Sequence, residues 1–425
     1  MSGTDLTATS AAPALAWPHD RQRMWTVILR VALIVNVIGA SSNFHEQILP
    51  TNLAWIQQSI GVACWIAIII AARAARPAPV AAFGFDTWAL VSFYGYVVIS
   101  VLWTDLAPAS TMKAVAMTIT TVGAFTLASR CRLQDVIYDV NLGLLVLTIA
   151  SIVVVIVAPD IGVASNWMQA GNWQGVFESK QSLGVLGGMA MFFAGYLWLT
   201  RGASWIYGLS LLCAAACAIG SESRGGGGLA LLSCAIVFLA GRSRNVAKVL
   251  SFAPLLIMTV ATLMIAYLYA TGADAFQIGD TRVDFTERTF IWQHALAHLD
   301  EHPLFGFGLG GFWSIGDIYI AFERHHGWVL DNFHSGFVAI LVELGVVGYA
   351  WFTLCTLLFA VRLTHAIANG TMERSRIVAL IGFMTMGYQI NVTEWMFIKS
   401  TSFIAILVLV FAFNATRGPT RGDLA

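Results

Sequence analysis

Residues 331–348 read DNFHSGFVAILVELGVVG. A polar mouth that ends in His334 and Ser335 opens onto a run apolar enough to enter a bilayer. An α-helix crosses about 30 Å of hydrocarbon in roughly 20 residues. Windows of that kind recur at 24–41, 54–73, 86–103, 111–129, 136–158, 181–199, 204–220, 225–240, 249–271, 335–361, 377–395 and 400–414. The chain is 58% hydrophobic and 11% charged, where a soluble domain of this size carries about 25% charged residues. The expected fold is therefore an all-α polytopic membrane protein with about twelve transmembrane helices. Zero net charge and the lack of any basic or acidic block argue against a nucleic-acid partner.

Lysine and arginine placement orients these spans. With the N-terminus in the cytoplasm, 15 cations fall inside, 7 fall outside, and Arg30 lies within the first span. The bias predicts a disordered cytoplasmic N-terminus at 1–23 and nine spans within 24–271. A large periplasmic loop at 272–334 follows, then spans ten to twelve within 335–414 and a cytoplasmic tail at 415–425. The cytoplasmic loops are short, so the chemistry is expected in the outer loop, rich in His, Asp, Glu, Trp and Gly.

Several outer cations are oddly placed for an inside-positive protein. Lys180 in FESKQSLG precedes the sixth span, Arg224 in SESRGGGG the eighth, and His334 the tenth. All three helices would begin at the outer face, where unpaired N–H groups and the helix dipole favour an anion. Gly225–Gly228 would let a ligand approach the backbone. The alternative is that Lys180 and Arg224 simply snorkel to the interface.

In the outer loop, Asp284 and Glu287 read as a capping box for a helix running to about Asp300. Phe290, Ile291, Trp292, Ala295, Leu296 and Leu299 make an apolar face able to lie on the membrane. Arg288 in its first turn calls for a negative partner, either Glu287 or a phosphate. GFGLGG at 306–311 follows no strand, so a dinucleotide-binding reading is rejected. His294 and His298 have zinc-pair spacing, but HExxH is absent and no metal is assigned. Trp167, Trp173, Trp313 and Trp328 either stack on sugar rings or anchor at the membrane belt.

These motifs together resemble the O-antigen ligase and polymerase superfamily. Its signature is His, then Asn, Ser or Gln, nine residues, and Gly-x-x-Gly, here His334, Ser335, Gly345 and Gly348. The stretch ERTFIWQHALAHLDEHPLFGFGLGGFW resembles the family's arginine-bearing loop, SESRGG its Ser-Arg-Gly motif and SKQSLG its lysine motif. The version here looks closest to exopolysaccharide polymerases of the succinoglycan type; the Thr-Pro that ligases tend to carry after the glycines is replaced by Tyr349-Ala350. The resemblance implies a metal-independent, cofactor-free, inverting glycosyltransferase of GT-C-like fold in the bacterial inner membrane, its site facing the periplasm. It implies His334 as base and Arg224 and Arg288 as diphosphate-binding arginines. Lys180, Arg282, Ser335, Trp313 and Trp328 are assigned to substrate binding. The implied partners are an undecaprenyl-diphosphate-linked oligosaccharide, membrane lipids, a chain-length regulator and export proteins. A competing reading is a ligase acting on lipid A core; another is a flippase or exporter without chemistry.

The residues support that chemistry independently. Guanidinium forks bind phosphate bidentately and keep their charge. A neutral imidazole can take the proton of a sugar hydroxyl, and the surrounding cations and helix start would favour that neutral form.

Overall fold

The computed structural model describes residues 19–40, 44–50, 53–76, 84–104, 107–165, 170–273, 275–279, 281–283, 288–326, 332–394 and 397–415. In chain order its elements are α1 (His19–Ala40), α2 (Ala54–Ala75), α3 (Phe85–Ile99), α4 (Ala107–Arg130), α5 (Leu133–Val157), α6 (Pro159–Gly162), α7 (Lys180–Arg201), α8 (Trp205–Gly220), α9 (Arg224–Ala240), α10 (Arg244–Leu250), α11 (Ala253–Thr271), the hairpin β1 (Phe276–Ile278) and β2 (Thr281–Val283), α12 (Arg288–Ala297), α13 (Gly316–His326), α14 (Gly336–Ala368), α15 (Arg374–Thr393) and α16 (Phe403–Ala415). Eight of the described helical segments are long and apolar enough to cross a membrane, and three more apolar ones are shorter, at Trp205–Gly220, Leu231–Ala240 and Ser400–Asn414.

The most buried element is α16, whose residues 403–413 are all buried, against α3, α4 and α15. A helix apolar on every side has no preferred wet face. In lipid, close packing rather than escape from water selects its place. Beside it, Tyr388 of α15 stacks on Phe352 of α14 and its hydroxyl meets Thr356 Oγ1 at 2.6 Å, satisfying a polar atom inside the core.

The signature glycines explain the shape of α14. At 33 residues it is far longer than a single span needs, and it breaks at Gly345, where φ is 67° and ψ −174°. That region is open essentially to glycine alone. The break strands three carbonyls and the N–H groups of Val346 and Val347; the loop after α12 takes up all but one carbonyl, which α3 satisfies. Phe307 N donates to Val342 O (3.1 Å) and Gly308 N to Glu343 O (2.7 Å). Val346 N donates to Pro303 O (2.9 Å) and Val347 N to Leu304 O (3.1 Å). Tyr96 Oη donates to Leu344 O (2.8 Å). The glycine-rich stretch is thus a backbone splint laid into the kink. A Cβ at Gly345 would overlap the Leu304 carbonyl. Gly345→Ala is expected to cost about 3 kcal/mol or more, read as a lowered unfolding temperature in detergent; an unshifted transition would remove the splint from the account.

The loop's helix differs from its sequence reading. Residues 284–287 lie outside the described residues, and α12 ends at Ala297, followed by a short 3-10 turn at Leu299–Glu301. Its apolar face is not laid on a membrane: Ile291, Trp292, Ala295 and Leu296 are buried against the rest of the chain. The helix packs on α11 and α14, with Phe312 and Phe322 edge-on to its His294 and Trp292 bonded to Phe333 O.

Candidate functional site

The site is built at the mouth of α14. Asn332 Oδ1 accepts from His334 N (2.9 Å) and turns the chain. His334 stands at φ +45°, a left-handed conformation unfavourable for a residue with a Cβ. Its neighbours hold it there. Trp292 Nε1 donates to Phe333 O (3.0 Å), Ser335 Oγ caps α14 through Val338 N (3.5 Å), and Gly336 N donates to Glu394 O (2.9 Å). Gly336 has no room for a side chain, since a Cβ would overlap the buried Asn391 amide. The start of α14 is therefore pressed onto the end of α15. A strained, over-determined residue at a loop mouth is a common mark of function.

Glu394, just past α15, joins the two sequence-predicted groups. Its Oε1 accepts from Arg288 Nη2 (2.9 Å) and its Oε2 lies 3.7 Å from His334 Nδ1. Burial would raise the Glu394 pKa, but His334, Arg288 and Lys399 outweigh it and hold the carboxyl below its ordinary value. The group is an anion between two nitrogen bases. The His334 side chain is 33% exposed while its Nδ1 is buried. With Nδ1 turned to Glu394, Nε2 is the ring nitrogen not facing that carboxylate. One carboxylate oxygen anchors a cation and the other orients an imidazole, the logic by which an acid fixes a histidine's tautomer. At 3.7 Å that contact is longer than a hydrogen bond, as catalytic contacts often are before substrate arrives.

The starts of α7 and α9 lie at the same end of the bundle. Ser233 Oγ donates to Gln389 Oε1 (3.5 Å) and Gly382 packs on Val237, which sets α9 antiparallel to α15. Arg224 therefore opens α9 at the end where Glu394 closes α15. Gly225–Gly228 form the first turn. A Cβ at Gly228 would meet nothing within 4 Å, and one at Gly225 only Ser223 Oγ at 3.8 Å. Glycine costs a helix about 1 kcal/mol relative to alanine, and packing at these two positions does not require it. What they leave is a bare first turn. Beside it, Asn172 accepts from Lys180 Nζ (2.8 Å) and donates to Glu222 Oε2 (3.0 Å), so Lys180 is tied to the turn that leads into Arg224.

The structure thus brings Arg288 and His334 together and sets Lys180 beside the start of α9. Arg282 lies on β2 opposite Gln277. The side chains of Arg224 and Arg282, and all of Trp328, Asp284 and Glu287, lie outside the described residues. Two other assigned residues are buried. Trp313 is 8% exposed and packs on Phe312 (4.9 Å between ring centroids), Phe333 (5.5 Å), Phe322 (5.7 Å) and His294 (6.1 Å), so no face is left for a sugar. Trp313→Ala is expected to lower stability by about 3–5 kcal/mol while the remaining folded enzyme keeps its donor KM; a raised KM at unchanged stability would restore the sugar contact. Ser335 is 3% exposed and its Oγ accepts from Val338 N in the α14 cap, so it shapes the backbone at His334.

Sequence reasoning missed Glu394. The apolar window 377–395 absorbed it into a span. The usable signal was an acid where a mostly apolar helix ends, in a short turn that also holds Lys399.

These elements define a polytopic helical membrane protein with a polar, titratable site at one end of the bundle. The family model described as O-Antigen ligase matches residues 209–353. The match takes in Arg224, Arg288, His334 and the kink at Gly345, and it supports the O-antigen ligase and polymerase superfamily and, in general terms, an enzyme of membrane glycosyltransferase type. No curated protein matches the chain.

Proposed function

We propose that the chain polymerises undecaprenyl-diphosphate-linked oligosaccharide repeat units into exopolysaccharide at the periplasmic face of the inner membrane. It would do so through twelve spans with both ends cytoplasmic. The observation that carries the reading is the Arg288–Glu394–His334 constellation at the bundle end where α9 begins with a bare glycine turn. His334 Nε2 takes the proton of an acceptor sugar hydroxyl. The hydroxyl oxygen bonds to the donor's anomeric carbon as that carbon's bond to the diphosphate oxygen breaks, inverting the centre. Undecaprenyl diphosphate leaves with its charge met by Arg288, Arg224 and the N–H groups of α9. Glu394 holds the His334 ring and rises in value as imidazolium forms.

A second reading, transfer of the glycan to lipid A core, is favoured by the description of the matching family. Purified protein given lipid-linked repeat units and lipid A core separates the outcomes. Longer lipid-linked chains support the polymerase, and glycosylated lipid A supports the ligase. Movement of the donor across the bilayer without a new bond overturns both.

A further inference from the structure

A second charged cluster lies at the far end of α7 from Lys180. It is built from the last residue of α7, Arg201, from Arg76 just past α2, from Arg130 closing α4, from Arg30 within α1, and from Asp135, Tyr138 and Asp139 of α5. Arg201 pairs with Asp135 Oδ1, and Arg76 Nη2 lies 3.3 Å from Asp135 Oδ2. Arg76 and Arg130 each donate to the other's carbonyl, at 3.2 and 2.6 Å. Arg30 Nε donates to Asp139 Oδ1 at 2.8 Å. Three guanidinium groups thus share two carboxylates, Arg130 joins them through the Arg76 carbonyl, and the cluster keeps two positive charges.

Three of the four need no special account. Arg76, Arg130 and Arg201 stand at helix C-termini, where the backbone dipole favours cations. Arg30 does not. It sits in the middle of α1, and its side chain is 46% exposed while Asp139 is 7% exposed. The surface onto which it opens is informative. Met24, Val27, Val31 and Val35 are all exposed apolar residues of the same helix, at 48, 60, 53 and 41%. Spaced three to four apart, they form one stripe, and Arg30 borders it beside Val27 and Val31. Val31 and Val35, on the bundle side of Arg30, face lipid.

The depth also fits. The guanidinium carbons of Arg30 and Arg201 both lie 5.3 Å from the centroid of the Tyr138 ring. Arg30 therefore sits at the level where α7 ends, and the first three turns of α1 project beyond it. Headgroups of the leaflet facing that end of the bundle would lie at this level.

We propose that Arg30, Arg201 and Tyr138 form a binding site for the phosphate of an anionic phospholipid headgroup, at the end of the bundle opposite the transferase site. A phosphodiester approaching from the lipid side meets two guanidinium groups within a cluster whose net charge is positive, while its acyl chains run along Val31 and Val35, the part of the stripe on the bundle side of Arg30. Cationic pockets between spans take lipid headgroups in this manner. A free phosphate would gain nothing from the stripe, which is why a lipid is preferred.

The test uses the full chain in detergent, titrated with phosphatidylglycerol, phosphatidylcholine or inorganic phosphate, with native mass spectrometry and unfolding temperature as readouts. Wild type is expected to retain phosphatidylglycerol several-fold over phosphatidylcholine and to be stabilised by it. Arg30→Gln alone would orphan Asp139, so the informative variant is Arg30→Gln/Asp139→Asn, which removes the pair without leaving a buried charge. It is expected to lose most of the preference, and Arg201→Gln part of it. Equal retention of the two lipids by wild type, undiminished preference in the double variant, or equal stabilisation by millimolar inorganic phosphate would each overturn the proposal.

Discussion

Replacing His334 with alanine is expected to abolish glycosyl transfer, with a loss of at least about 10²-fold and up to about 10⁴-fold, the range supplied by a general base. Donor binding is expected to persist, because Arg288 and the start of α9 are untouched. The backbone complicates this substitution in a useful way. His334 holds φ +45°, which disfavours any residue with a Cβ by about 1–2 kcal/mol. Alanine keeps that penalty and discards the imidazole's contacts, so a dead His334→Ala protein could simply be a poorly folded one. Glycine resolves the matter. His334→Gly relieves the strain and is expected to unfold at a temperature no lower than the alanine variant, yet to be equally inactive. Lipid-linked product chains resolved on a gel, read beside the unfolding temperature, separate chemistry from folding. Product from His334→Gly at more than a tenth of the wild-type rate would remove the base from the mechanism.

The same corner of the molecule shows what a sequence can and cannot disclose. The polar mouth at 331–335 and the spacing from His334 to Gly345 and Gly348 stand out at once. Their physical meaning does not, because the kink at Gly345 is intelligible only with residues 303–308 laid into it. The helices are legible as apolar runs, but a helix apolar on all sides carries no record of which side packs. Nothing in the composition of α16 distinguishes the buried centre it occupies from a lipid-facing rim. The apolar face of α12 is misread for the complementary reason: an amphipathic stripe says that it must be covered, and not whether lipid or protein covers it. Arg288 was seen to require an anion, yet the one it finds is 106 residues away, beyond any local pattern. Trp313 reads as a sugar platform or a membrane anchor because an aromatic residue in a loop is equally at home on a sugar, at an interface and in a core.

Glu394→Gln tests whether that distant anion is part of the machinery. Glutamine keeps the shape and can still accept from Arg288, but it cannot offer His334 a charge that stabilises imidazolium. Turnover is expected to fall by about 10–10²-fold, with donor KM changed less than kcat, because Glu394 acts through His334. Glu394→Asp, with the charge retained on a shorter arm, is expected to recover part of the loss. A purely structural role for Glu394 would instead lower the amount of folded enzyme and leave the pH–rate profile of what remains unmoved. Stability supplies an independent check with a definite sign. The carboxyl is held below its ordinary value of 4.5 in the folded protein. Its pairing therefore stabilises the fold fully above about pH 4.5 and is lost as the pH falls through the lower, folded value. Wild type is expected to lose unfolding temperature in that acid range more steeply than Glu394→Gln, whose side chain no longer titrates. Parallel acid limbs in the two proteins, together with an unchanged kcat, would leave the Arg288–Glu394 pair a surface clasp and return His334 to acting alone.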